Sequence, residues 1–269
     1  MNYNSFEPSS ALSAYIKCFW TLEDEAHPDP PKQRIVPDGC MEMIFQYGEP
    51  FRQFTDETNF IIQPTCFVFG QITRHLDIQP IGNTNIFSVR FHPAGFIPFS
   101  TFPPEQMENR AVPLSELFEA ESSDLEKKMF SLTETSLKIK CVEDFLIKRL
   151  SQPEAADLIA RRSVDLIMEV NGQMSVNELS EQVRVHKRQL ERRFSKLIGL
   201  SPKELSRMIR IQSVIRSLME NNYENLTEVA YESGYFDQAH FIKDFREFTG
   251  ESPGRFFSNN LKMATLFAE

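Results

Sequence analysis

The chain of 269 residues is poor in cysteine: Cys18, Cys40, Cys66 and Cys141 stand far apart with no CxxC spacing. That pattern excludes a zinc ribbon and a disulfide framework and leaves four reduced thiols. No apolar run approaches the roughly 18 to 20 residues of a membrane span. The start, MNYNSFEPSS, lacks the basic-then-apolar order of a signal peptide, so a cytoplasmic protein without a membrane partner is expected. His27, His75 and His92 show no ligand spacing among themselves or with the cysteines, and no metal or cofactor is expected. GxSxG, P-loop and paired-carboxylate motifs are missing as well, which points away from an enzyme. With 41% hydrophobic and 25% charged residues, neither disorder nor a fibrous repeat fits; what remains is a globular protein with room for two domains.

What is present is unevenly distributed. A net charge of -9 argues on its face against nucleic acid, yet an average over the chain hides where the charges sit. Within 184–216 ten Lys/Arg face two Asp/Glu, whereas within 217–251 two face eight. Thirteen of the sixteen prolines lie at or before Pro113. There, short apolar stretches at 42–47, 60–69 and 86–91 are bounded by Pro and Gly and read as strands. Beyond about Leu114 prolines are scarce and apolar residues recur at helical spacing, as in Leu137, Cys141 and Phe145 beside Val142, Leu146 and Leu150. The expected fold class is α+β with two domains. A β-rich N-terminal domain takes 1–120, a helical connector 121–154, an all-α C-terminal domain with two helix-turn-helix motifs 155–258, and a tail 259–269. Ser151-Gln152-Pro153 is the break before a helix starting near Glu154.

The C-terminal part repeats. Leu190, Phe194, Gly199 and Pro202 recur with the same offsets as Phe241, Phe245, Gly250 and Pro253, 51 residues later. Upstream, Glu178-Leu179-Ser180 matches Glu228-Val229-Ala230 at a spacing of 50, so the second copy has one extra residue in its turn. In each copy a short helix (176–183, 226–232) precedes a tight turn and a second helix (187–198, 237–249), the outline of a helix-turn-helix. On the first of these second helices Leu190, Phe194, Leu197 and Ile198 form one apolar stripe. The opposite face shows Arg188, Glu191 and Arg192. Arginine there forks onto guanine O6 and N7 in a major groove and glutamate accepts from cytosine N4, while Lys187, Arg193 and Lys196 neutralise phosphates. The second copy buries Phe241, Phe245 and Phe248 and leaves Gln238, His240 and Lys243 toward DNA. Asp244 and Glu247 lie toward the same polar face and predict weaker engagement. Pro202 opens a helix running to about Met219, apolar on two sides and roughly 26 Å long, long enough to help set two recognition helices about 34 Å apart.

Residues 164–258 resemble the DNA-binding module of AraC/XylS-type bacterial transcription regulators. The resemblance rests on Glu178-Leu179-Ser180, on 188–194 (RQLERRF) with Gly199-Leu200-Ser201-Pro202, on Arg210, and above all on 228–241 (EVAYESGYFDQAHF) continued by 245–253 (FREFTGESP). It implies recognition helices in adjacent major grooves, base reading by Arg188, Glu191, Arg192, His240 and Lys243, and backbone contacts from Gln238 and Arg246. It also implies promoter DNA as the partner, with RNA polymerase beside it. Three positions depart from the pattern: His186 stands for the usual Ser cap, Arg184 for the usual turn Gly and Ala239 for a frequent Ser. The first predicts a missing cap costing about 1 kcal/mol.

The first 120 residues do not resemble the sugar-sensing barrel of that family's founding member; they are similar to an uncharacterised domain type, through Pro37-Asp38-Gly39-Cys40, Phe69-Gly70-Gln71 and 89–93 (VRFHP) with Gly95. Pro37-Asp38-Gly39 is a turn followed by alternation, with Met41, Met43 and Phe45 on one face and Cys40, Glu42 and Ile44 on the other. Ser88, Arg90 and His92 share a face. Arg90 either pairs with Asp38 or Glu42 or grips a ligand, so Arg90, His92, Asp38 and Glu42 form a candidate effector pocket for an unidentified small molecule or protein. The 137–150 helix serves either packing or a homodimer seam. Two alternatives to a regulator stay open: a protein-interaction factor with weakened DNA binding, and a repair-like enzyme fused to such a module, for which Cys40 is the one candidate nucleophile.

Overall fold

In the computed structural model, residues 1–150, 158–219 and 226–259 are described. The proline-rich half folds into ten strands, all paired antiparallel. They are β1 (Asn2–Phe6), β2 (Ile16–Asp24), β3 (Gln33–Ile35), β4 (Glu42–Gln46), β5 (Phe51–Phe54), β6 (Phe60–Ile62), β7 (Cys66–Phe69), β8 (Leu76–Pro80), β9 (Thr84–Phe91) and β10 (Ala111–Pro113). A six-stranded sheet runs β1-β2-β9-β4-β7-β10 and a four-stranded sheet runs β3-β8-β5-β6. The apolar stretch over 60–69 forms two strands, β6 in the small sheet and β7 in the large one; Gln63-Pro64-Thr65 separates them, as proline cannot donate to a ladder.

The alternation after Pro37-Asp38-Gly39 decides the layering. Met41, Met43 and Phe45 enter one core with Phe19, Phe87, Val89 and Phe91. Cys40, Glu42, Ile44 and Gln46 face the second sheet instead. The first face is covered by α1 (Leu114–Phe118), α2 (Ala120–Ser131) and α3 (Thr135–Arg149), which bury Leu117, Phe118, Leu125, Met129, Val142 and Leu146 in that same core. The segment expected as a connector is therefore the third layer of the N-terminal domain, because its apolar stripe is needed to cover the sheet. Val142 and Leu146 of α3 pack inward, while Leu137 and Ile147 stay exposed. The expected break at 151–153 and the start near Glu154 lie outside the described residues.

The C-terminal helices are α4 (Leu158–Glu169), α5 (Val176–Gln182), α6 (Lys187–Ile198), α7 (Pro202–Met219), α8 (Leu226–Glu232), α9 (Gln238–Thr249) and α10 (Pro253–Asn259). Their shared core holds Leu190, Phe194 and Ile198 of α6 and Phe241, Phe245 and Phe248 of α9. From α7 come Leu205, Met208, Ile209, Ile211, Val214 and Ile215. Helix α7 is apolar on two sides because it is packed by both modules at once. It also meets the N-terminal domain: Gln212 Nε2 donates to the carbonyls of Val36 and Pro37 at 3.2 and 2.9 Å. At Gly39 (φ +80°) the turn takes a left-handed conformation that favours glycine, and α7 comes so near that a Cβ would sit 2.6 Å from Leu205 Cδ1. Arg34, paired with Asp77 at 2.7 Å, donates to the Thr249 carbonyl at 3.1 Å and lies 3.2 Å from Glu251. The N-terminal domain thus holds α7 and the end of α9 together.

Candidate nucleic-acid interface

Local hydrogen bonds fix where each helix begins. Ser175 Oγ accepts from the Glu178 amide at 3.2 Å and Glu178 Oε2 accepts from the Ser175 amide at 2.9 Å, a capping box for α5. At α6 the His186 Nδ1 accepts from the Arg188 amide at 3.4 Å. The expectation of an uncapped helix is corrected: a neutral imidazole nitrogen does the work of the hydroxyl. Helix α9 is capped by Asp237, whose Oδ1 accepts from the His240 amide at 2.7 Å. Both α6 and α9 end on glycines in the left-handed region, Gly199 at φ +78° and Gly250 at φ +75°, as their αL C-caps demand.

The first turns of both helices open onto one groove. Lys187 of α6 and His240 and Lys243 of α9 line it, Ser175 and Asn177 of α5 form its rim, and Lys203, Arg207 and Arg210 of α7 form its floor. The groove has a volume of about 530 Å³. Arg188 and Arg192 are exposed on α6, and Gln238 and Arg246 on α9; Glu191 and Arg193 are half-buried. Lys196 is exposed but faces a second groove, against Phe102, Pro104 and Glu105 of the N-terminal domain, away from the shared one. In the sequence Lys203 and Arg207 were not singled out and Arg210 was named only through the resemblance, although the three follow an i, i+4, i+7 spacing that marks one helix face. Phe236 was missed too; it is 86% exposed just before α9.

Charge in the groove differs from the sequence expectation. Asp244 does not lie open beside Lys243: it is buried and bonded by Arg207, whose Nη2 donates to Asp244 Oδ1 at 2.9 Å and to Glu247 Oε2 at 2.6 Å. The bonds from Arg207 hold the Glu247 carboxyl below its usual range and raise the guanidinium's own pKa. Arg207 of α7 thus offsets one of the two carboxylate charges that were expected to weaken α9. Arg210 ties the two turns: its Nη2 donates to the Gly172 carbonyl at 2.7 Å, and its guanidinium lies 5.2 Å from the Tyr235 ring centre. Burial raises the Tyr235 phenol pKa.

Between the two sheets of the N-terminal domain lies a cavity of about 100 Å³. Its walls are Trp20, Leu22, Ile44, Phe51, Ile78 and Ile86; Asp38, Cys40, Glu42 and Arg90 lie at one side, and Gln212 and Ile215 of α7 close it. Glu42 and Arg90 sit opposite each other across the β4–β9 ladder. The Arg90 guanidinium donates to both Glu42 and Asp38, so both pairing expectations hold together. Burial pushes the Glu42 carboxyl up. His92 does not join them; it lines a groove with Arg161 and Asp165 of α4. Burial, then the charge of Asp38, pushes the Cys40 thiol up. Among the described residues no three His, Cys, Asp or Glu side chains cluster to hold a metal ion. Nor is any helix long and apolar enough to cross a membrane.

Comparison with known proteins divides the chain the same way. Residues 179–259 match the family described as a helix-turn-helix domain, and residues 4–113 match a domain of unknown function, DUF6597. Over 105 residues the chain is 31% identical to the HTH-type transcriptional regulator GbdR of Pseudomonas aeruginosa, a match covering 38% of this chain and 27% of that protein. The chain therefore spans about a quarter of that relative's length. Among solved structures, ToxT from Vibrio cholerae is 14% identical with a TM-score of 0.47, over 89% of this chain and 98% of that one. The C-terminal domain of AraT from Geobacillus stearothermophilus is 22% identical with a TM-score of 0.37, over 39% of this chain and 88% of that one.

Proposed function

We propose, from the premise that this chain carries an AraC-type helix-turn-helix module behind a domain of unknown function, that it is a sequence-specific, double-stranded-DNA-binding transcription regulator. Helices α6 and α9 enter adjacent major grooves. The observation that carries this reading is the shared groove, in which Lys187, Lys203, Arg207, Arg210 and Lys243 outnumber Asp244 and Glu247. A phosphate backbone crossing between two major grooves meets such a basic floor, while exposed Arg188 and Arg192 reach base edges. Glu191 and His240 read bases beside them, and Lys187, Arg193, Gln238 and Arg246 hold phosphates. An effector in the inter-sheet cavity acts on α7 through Gln212 and Ile215, and α7 carries both modules, so cavity occupancy shifts how the two helices meet DNA and polymerase.

The test is a pull-down of sheared DNA of the source organism with purified full-length protein, followed by sequencing. The expected result is a bipartite site with half-sites about one helical turn apart. Arg192→Ala is expected to cost about 1–3 kcal/mol in binding and to relax one base position. A flat dependence of affinity on salt, with no enriched site, would sink the regulator and favour a protein-interaction factor.

A further inference from the structure

We propose that the inter-sheet cavity takes a compact, largely apolar primary amine, with its ammonium against Asp38 and Glu42 and its body against Trp20 and Phe51, and that it disfavours the matching carboxylic acid. This deepens the effector reading and rests on it.

Three observations converge on that chemistry. The first is the charge balance at the α7 side. Two carboxylates, Asp38 and Glu42, face a single guanidinium, Arg90. The other arginine in the wall, Arg34, is already held by Asp77 at 2.7 Å and Glu251 at 3.2 Å. Ser88 and the Cys40 amide each donate to one of these carboxylates, at 3.4 and 2.9 Å, but neither brings positive charge. Burial already raises the Glu42 pKa; a ligand carboxylate would add a third acid to this site, whereas an ammonium would hold Glu42 ionised and balance its charge.

The second observation lies at the other end of the same strand. Gln46 is 2% exposed and its Nε2 donates to the Pro64 carbonyl at 2.9 Å, yet its Oε1 has no hydrogen-bond partner among the described residues. A buried acceptor left unmet is costly, so the far end of the cavity also asks for a donor. The cavity thus offers an acceptor at each end, beside the donors Arg90, Gln63 and Trp20 in its lining. On β4, Glu42 and Gln46 share a face four residues apart, about 13 Å along a strand. An ammonium and a phenolic hydroxyl at opposite ends of an arylethylamine, each with its hydrogen bond, span about that length. The third observation is the wall between them: Trp20, Leu22, Ile44, Phe51 and Ile86 offer a hydrophobic channel for a ring. Because Gln212 bonds the carbonyls of Val36 and Pro37, next to Asp38, the ammonium end is the one that touches α7.

Trp20 is the single tryptophan of the chain and lines the cavity, so its fluorescence reports occupancy directly. The experiment titrates full-length protein with tyramine, phenethylamine and 3-phenylpropionate, and follows Trp20 emission and, separately, affinity for the enriched DNA. Saturable changes with both amines, at least about tenfold tighter than with the acid, are expected. Tyramine should bind tighter than phenethylamine, and Gln46→Leu should remove that advantage. Glu42→Gln should erase the preference for amines; its thermal melt separates a folded variant from a collapsed one, and Gln46→Leu serves if it does not fold. Equal or tighter binding of the acid overturns the ligand class, as does no saturable signal from any probe. An acid that binds and also shifts DNA affinity would do so while leaving effector control standing. Absence of DNA binding both with and without every probe would instead strike the regulator itself.

Discussion

Arg184, in the turn between α5 and α6, holds φ at +56°, where an L side chain crowds the following carbonyl. That conformation costs a non-glycine residue about 1–2 kcal/mol, and the side chain is exposed, so nothing about the core requires it. Arg184→Gly is expected to stabilise the chain by about 0.5–1 kcal/mol, after subtracting the extra freedom glycine gives the unfolded chain. The check is a urea titration, which should show a higher midpoint at unchanged slope; a lower midpoint would mean that the arginine side chain itself supports the turn. This departure from glycine was legible in the sequence, while the positive φ that it imposes on an arginine came only with the structure. The His186 cap was not legible, since an imidazole acts as a cap only when its ring is turned onto the next amides, and residue type alone does not say so.

At the scale of the element, α7 does more than space two modules. Arg207 bonds Asp244, a carboxylate with 4% of its side chain exposed, and this pair fastens α9 to α7. Arg207→Ala leaves that charge buried without a cation, at a cost of about 3 kcal/mol. The double variant with Asp244→Ala should recover much of it, because the lone charge is then gone. Urea midpoints of the wild type, both single variants and the double variant test this; purely additive losses would mean the pair is not coupled. The bounds of α6, α7 and α8 follow from the sequence because caps, Pro202 and apolar spacing are local signals. The partner of Asp244 lies 37 residues away on another helix, and no local pattern carries that.

For the whole molecule, two histidines lie where the domains meet. His75 abuts Gly250, where a Cβ would come within 2.6 Å of its ring, and His92 lines a groove with Arg161 and Asp165. Burial holds both imidazoles below their ordinary pKa of 6.5, with Arg34 adding to the effect at His75. In the folded chain they bind protons later than in the unfolded one. Their neutral, docked state is therefore fully available above about pH 6.5 and loses ground as the pH falls from there toward the lowered folded pKa. The urea midpoint should drop between about pH 7.5 and about pH 5.5, and His75→Gln should flatten part of that drop. An unchanged midpoint across the window would place neither ring in a desolvated contact. The sequence by itself determined the duplicated helices, their apolar stripes and the two faces of β4, because each depends on spacing within a few residues, whereas for Arg90 it left carboxylate pairing and ligand contact both open. Only the tertiary structure decided that 114–149 covers the large sheet, that His92 stands apart from Arg90, that Arg207 neutralises Asp244, and that α7 closes the cavity. Those outcomes depend on which distant surfaces bury each other, and burial between elements is a property of the packed chain rather than of any one segment.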